Sequence, residues 1–117
     1  MTEADRLRCR WAALADDAAA GEGLLRRWAE PHRHHHDLRH LEEVLDALDA
    51  LTDGDVPRPV ALAAWFHDAV YEGRAGDDER RSAELAAAVL APLVPEHVDE
   101  VVRLVLLTAA HRPASGD

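Results

Sequence analysis

The sequence has 117 residues and a formal net charge of −10, with 13 basic and 23 acidic side chains. This acidic balance argues against binding to a nucleic acid polymer or an anionic membrane surface, because both depend on clustered Lys and Arg. No apolar run approaches the roughly 18 residues that a membrane span needs, and the single cysteine, Cys9, excludes an internal disulfide and favours a reducing cytoplasm.

The residue composition predicts a helical protein. Alanine and leucine dominate, isoleucine is absent, and aromatic residues make up 4% of the chain. Alanine and leucine are strong helix formers, whereas strands favour β-branched and aromatic residues. No repeat or low-complexity linker divides the chain, so we expect residues 1–117 to form one all-α domain, a compact bundle of about six helices.

Apolar residues spaced three and four apart place these helices along the chain. The first is expected over 3–20 and ends where Gly21 and Gly23 interrupt the pattern. A short second helix over about 23–30 ends before Pro31, because the residue before a proline is pushed out of the α region. The others are expected over about 36–51, 59–70, 78–91 and 95–111.

Five of the eight histidines lie between residues 32 and 40. The run His32–His36 is typical of a metal-binding tract or of a solvated loop. His36 and His40 are four residues apart at the start of the third helix, so both imidazoles lie on one face. A helical wheel puts His40 at the border of the apolar stripe and His36 one position further away from that stripe. His40 is therefore expected to point into the domain, as a metal ligand or as a partner of a backbone carbonyl.

His67 and Asp68 end a helix of little polar character, Ala61–Phe66. An imidazole and a carboxylate are costly to bury together unless they are paired or bound to a metal. Nitrogen and oxygen ligands together suit Zn, Mn, Fe or Ni, and Mg when more oxygen and water ligands are added. The pair therefore predicts a divalent metal site, with the upstream histidines as further ligands.

Four blocks of sequence occur in order around these residues: Arg33–His40, Ala63–Tyr71, Asp78–Ala83 and Leu107–His111. They resemble the HD superfamily of metal-dependent phosphohydrolases. Within it they are similar to a bacterial subfamily with the pattern Arg-x-Tyr-His-x-x-x-His, Ala-x-x-Phe-His-Asp-x-x-Tyr, Asn/Asp-Glu-x-x-Ser-Ala and Ala-Thr-x-x-His. His35 stands where that pattern has Tyr. Four ordered blocks are far more specific than a His-Asp pair alone.

The resemblance implies the ligands of a divalent metal ion, which would be Mn, Mg, Zn, Ni or Fe. The first ligand is His36, favoured by the residues that follow it, or His40, favoured by the helical wheel. His67 and Asp68 are the next two. Asp68 and Glu79 would be catalytic, with Glu79 orienting a water or transferring a proton. An alternative of equal weight is that Glu79 has no catalytic role and is an ordinary residue of the first turn of a helix, where the helix dipole favours an acid.

The resemblance also implies hydrolysis of a nucleotide or other small phosphate ester by a metal-activated water. Arg33 would bind a substrate phosphate or pair with a neighbouring acid, and His111 would contact the phosphate or cap the sixth helix. A further helix with a last Asp ligand should follow His111, and the sequence stops at Asp117, so we expect an HD-type domain without its C-terminal helices. The alternative is a non-catalytic metal- or nucleotide-binding domain, or an inactive helical fragment, with a homodimer as one expected assembly.

Overall fold

The computed structural model describes residues 1–33, 37–74 and 76–110, with side chains as far as Thr108. Within these ranges the chain forms six α-helices, one short 3₁₀ turn and no strand. The helices are α1 (Glu3–Leu14), α2 (Ala18–Trp28), α3 (Leu38–Thr52), α4 (Arg58–Phe66), α5 (Asp77–Leu90) and α6 (Val98–Ala110), and the 3₁₀ turn Pro95–His97 leads into α6. The predicted all-α fold of about six helices is confirmed.

α4 is the central helix of the bundle. It packs against α1, α3, α5 and α6, and all six residues of the stretch Ala61–Phe66 are buried. A helix that is apolar on every side belongs in a core, and Pro59 suits its first turn because an N–H there has no helical partner. α4 ends at Phe66, earlier than the predicted end at residue 70, and His67 follows as its C-cap. The His67–Asp68 pair therefore emerges from the middle of the bundle.

The boundary between the first two helices differs from the prediction. α1 ends at Leu14, and both Gly21 and Gly23 lie inside α2. The Asp17 side chain accepts a hydrogen bond from a backbone N–H of the first turn of α2, and this cap stabilises a helix that begins at Ala18. Gly21 serves close packing instead, because a Cβ atom there would lie 2.5 Å from Cδ1 of Trp11.

The start of α3 positions a histidine. α3 begins at Leu38, with Asp37 as its N-cap. The Asp37 carboxylate accepts a hydrogen bond from the backbone N–H of His40 at 3.2 Å, which is the usual N-cap arrangement. This cap holds His40 in the first turn of α3. The predicted start at His36 lies outside the described residues.

The rest of the core surrounds α4. Trp11 packs edge-on against Trp65 and Phe66, with ring-centre distances of 5.3 and 6.3 Å, and all three side chains are buried. The radius of gyration, 13.3 Å, matches the value of about 13 Å expected of a compact domain of about 100 residues. The longest described helix, α3, has 15 residues, and no described helix combines the length and apolar character that crossing a bilayer requires.

Candidate metal centre

His40, His67 and Asp68 lie together between the start of α3 and the end of α4. Each offers one ligand atom, and these three atoms all lie within 4.8 Å of one another. His67 Nε2 and Asp68 Oδ2 are 3.5 Å apart. The side chains of His67 and Asp68 are 16% and 5% exposed, and His40 is half-buried. The group therefore lies just beneath the surface of the bundle.

The His67 ring is oriented by the helix that it terminates. Its Nδ1 atom lies 2.6 Å from the carbonyl oxygen of Ala64. A carbonyl can only accept, so Nδ1 carries the proton and donates it. In the neutral ring the lone pair is then on Nε2, the atom that lies 3.5 Å from Oδ2 of Asp68. A backbone carbonyl that fixes the tautomer in this way is a usual companion of a metal-ligating histidine.

The donor set fits a divalent transition metal. Two imidazoles and one carboxylate are the ligands of catalytic zinc sites and of several iron sites, which leave further positions open. Two ligand atoms that are each about 2.1 Å from an ion can be at most about 4.2 Å apart. Since the ligand atoms of His40, His67 and Asp68 lie within 4.8 Å of one another, small side-chain shifts would bring all three to bonding distance from one ion.

The backbone around these ligands is held by side-chain donors from α2, from the segment that follows α2, and from α5. Where α4 ends, its last carbonyls lose their helical partners and must be satisfied elsewhere. Five carbonyls between residue 65 and residue 71 accept from side chains distant in sequence. These bonds are Trp28 Nε1 to Trp65 O at 3.0 Å, Arg33 Nη1 to Asp68 O at 2.7 Å, Arg33 Nη2 to Ala69 O at 2.8 Å, Ser82 Oγ to Val70 O at 3.5 Å, and His32 Nε2 to Tyr71 O at 2.6 Å.

Arg33 takes part in this framework from the C-terminal side of α2. Of the two roles predicted for it, the ion pair with an acid is present, since its Nη2 atom lies 3.1 Å from Oε1 of Glu30. The Arg33 side chain is 0% exposed. Contact with a substrate phosphate stays a prediction, and the burial of the guanidinium favours a structural role.

Glu79 lies in the first turn of α5, as one of its two predicted roles requires. Its Oε1 atom accepts a hydrogen bond from the backbone N–H of Gly76 at 2.6 Å, and the side chain is almost completely buried. The role of Glu79 in orienting a water stays a prediction. Two other predicted site residues, His36 and His111, lie outside the described residues.

Asp78 holds the loop that follows Tyr71 in a way that sequence analysis did not predict. Its Oδ2 atom accepts hydrogen bonds from three consecutive backbone N–H groups, those of Glu72, Gly73 and Arg74, all at 3.0 Å. Asp78 is buried, so it ties the loop that follows Tyr71 to the first turn of α5. The available signal was an acid just after a glycine-containing loop, where carboxylates commonly bond to backbone N–H groups.

Replacing Asp78 with asparagine should lower the free energy of unfolding by about 1–2 kcal/mol, because charge-assisted bonds to the loop become neutral ones. Urea denaturation measures the change. Asp77→Asn is the matched control, since that neighbouring side chain is one-third exposed and pairs with Arg80, and it should cost at most about 0.5 kcal/mol. Equal stability losses in the two variants would contradict the role given to Asp78.

Comparisons of the chain with protein-family models, with curated proteins and with solved structures found no match. The chain is therefore classified by its own fold and site. It is an all-α bundle with a His-His-Asp group at the end of its buried central helix. The resemblance to the HD superfamily stays a prediction that rests on the four sequence blocks.

Proposed function

We propose that the chain is a cytoplasmic, metal-dependent phosphohydrolase of HD type that acts on a nucleotide or another small phosphate ester. The observation that carries this proposal is the grouping of His40, His67 and Asp68, whose ligand atoms lie within 4.8 Å of one another. Two half-buried imidazoles and a buried carboxylate are costly to keep together unless they are paired with one another or bound to a metal. The His-Asp block of the sequence resemblance coincides with this group.

Each of the three side chains would present one ligand atom to the ion. His67 presents Nε2 because its Nδ1–H is engaged by the Ala64 carbonyl, and Asp68 presents a carboxylate oxygen 3.5 Å from that nitrogen. A bound divalent ion supplies a Lewis acid for a phosphoryl oxygen and lowers the pKa of a water toward neutrality. Asp68 and Glu79 are the carboxylates proposed to orient that water or accept its proton.

The charge of the protein bears on how a phosphate ester would bind. With a formal net charge of −10, the chain repels polyanions at long range. A divalent ion between the His-His-Asp group and the phosphate would offset this repulsion locally. The two nitrogen ligands favour Zn, Mn, Fe or Ni over Mg, which prefers oxygen ligands and water.

The test is phosphate release from a panel of nucleoside mono-, di- and triphosphates, with Mn²⁺, Ni²⁺, Zn²⁺, Fe²⁺ or Mg²⁺ added. Wild-type protein should release phosphate with at least one metal, and Asp68→Ala should lower the rate by more than about 100-fold, since removing one group that stabilises a transition state can alone cost about that factor. Asp99→Ala, an exposed acid on α6, should keep the wild-type rate.

Two results would contradict this proposal. The first is the same rate of phosphate release in Asp68→Ala as in the wild type. The second is tight metal binding without release of phosphate from any member of the panel. That second result would favour the alternative of a non-catalytic metal-binding domain.

A further inference from the structure

The guanidinium of Arg33 is enclosed by its own chain. Its side chain is 0% exposed, although arginine is rarely buried unless it is paired. Nε donates to the carbonyl of Arg27 at 2.6 Å, Nη1 to that of Asp68 at 2.7 Å, and Nη2 to that of Ala69 at 2.8 Å. These bonds join the last turn of α2 to the backbone that carries a proposed metal ligand.

Two aromatic rings and one carboxylate complete the enclosure. The guanidinium carbon lies 5.2 Å from the centre of the Trp28 ring and 5.5 Å from that of Tyr71, distances typical of cation–π contacts. Burial lowers the pKa of Arg33, and the hydrogen bond and charge of Glu30 oppose this shift. Because a guanidinium remains protonated even when its pKa is lowered, the clamp keeps its charge. The planar guanidinium can donate to several acceptors in this geometry at once. The ammonium group of a lysine cannot, so lysine would replace Arg33 only in part.

We propose that Arg33 is a positioning residue of the metal centre, which acts by clamping the Asp68 and Ala69 carbonyls to the end of α2. This inference rests on the proposed metal-dependent function. Asp68 lies beyond the last residue of α4, so helical hydrogen bonds do not fix its backbone. Because the side chain of Asp68 is short, the position of its Cα atom largely determines the position of its carboxylate. The bonds from Arg33 hold that part of the backbone in place. In this role the guanidinium supports the ligand through the backbone carbonyls that it holds.

The experiment compares the wild-type chain of 117 residues with Arg33→Lys, Arg33→Met and the control Arg103→Lys. Arg103 also pairs with a glutamate three residues earlier, Glu100, but its side chain is 58% exposed. Affinity for Co²⁺ is measured by calorimetry, and the geometry of the ligands by the visible spectrum of bound Co²⁺. Backbone hydrogen exchange over residues 68–71 is measured separately in metal-free protein.

Both Arg33 variants should bind Co²⁺ more weakly by about 10- to 100-fold, as is usual when a group that orients a metal ligand is removed. They should also show an altered Co²⁺ spectrum and faster exchange over residues 68–71. Arg33→Lys should be affected less than Arg33→Met, because it keeps a charge and some donors. Arg103→Lys should match the wild type in every measurement.

A folded Arg33→Lys or Arg33→Met with wild-type Co²⁺ affinity and wild-type exchange overturns the inference. So does unchanged Co²⁺ affinity with lost binding of inorganic phosphate, which would make Arg33 a substrate contact. Loss of the whole fold in both variants also overturns it, because the role would then be global. If wild-type protein binds no Co²⁺, the proposed function fails. Hydrogen exchange over residues 68–71 in the metal-free variants then decides alone whether Arg33 holds the backbone at Asp68.

Discussion

Replacing His67 with asparagine should lower the affinity of the protein for Co²⁺ by more than about 100-fold, because even residues that only support a ligand contribute 10- to 100-fold. An asparagine amide can place an N–H near the position of Nδ1 and so preserve the hydrogen bond to the Ala64 carbonyl. It has no atom where Nε2 lies. Calorimetric titration with Co²⁺ should therefore show lost binding, while the melting temperature of the metal-free protein stays close to that of the wild type.

The same titration decides between the two candidates for the first ligand. His40 lies in the group with His67 and Asp68, so His40→Ala should lower Co²⁺ affinity as strongly as the change at His67. His97→Ala is the control, because His97 is also half-buried and lies on the 3₁₀ turn before α6. Weakened binding in His36→Ala with unchanged binding in His40→Ala would assign the ligand to His36 and contradict the grouping proposed for His40.

The helices of this protein could largely be predicted from the sequence because helical periodicity is local. The apolar stretch Ala61–Phe66 is buried on all sides, as its lack of polar residues indicates. His67 consequently follows the end of a core helix, which is the position that its sequence context predicts. The early end of α4 could not be predicted from the sequence, because the carbonyls of Trp65 and Asp68 accept hydrogen bonds from side chains 37 and 35 residues away.

The framework of the site was beyond sequence reasoning for the same physical reason. Arg33 donates to carbonyls 35 and 36 residues away, and Ser82 accepts from the backbone N–H of Val70, 12 residues earlier. Hydrogen-bonding residue types have many uses, and their partners depend on how the helices pack. A phosphate contact and an ion pair were therefore both reasonable for Arg33, and its bonds to the Asp68 and Ala69 carbonyls were not predicted.

Replacing Gly21 with alanine should lower the free energy of unfolding by about 2 kcal/mol, whereas Gly23→Ala should raise it by up to about 1 kcal/mol. Alanine favours a helix over glycine by about 1 kcal/mol, and both positions lie within α2. At Gly21, however, a Cβ atom would lie 2.5 Å from Cδ1 and 2.9 Å from Nε1 of Trp11. Overpacking of a core costs about 1–3 kcal/mol, and this contact is severe enough to exceed the gain in helix propensity.

Trp11 cannot easily move away from a new methyl group. Its Nε1 atom donates to the backbone carbonyl of Asp17 at 2.8 Å, and its ring packs edge-on against Trp65 and Phe66. The nearest atom to a Cβ at Gly23 is the end of a flexible arginine at 3.8 Å, so that variant gains propensity without strain. Urea denaturation of the two variants should separate them by about 2–3 kcal/mol. Equal stabilisation of both would show that α2 tolerates a side chain against Trp11, and that these glycines do not differ in packing.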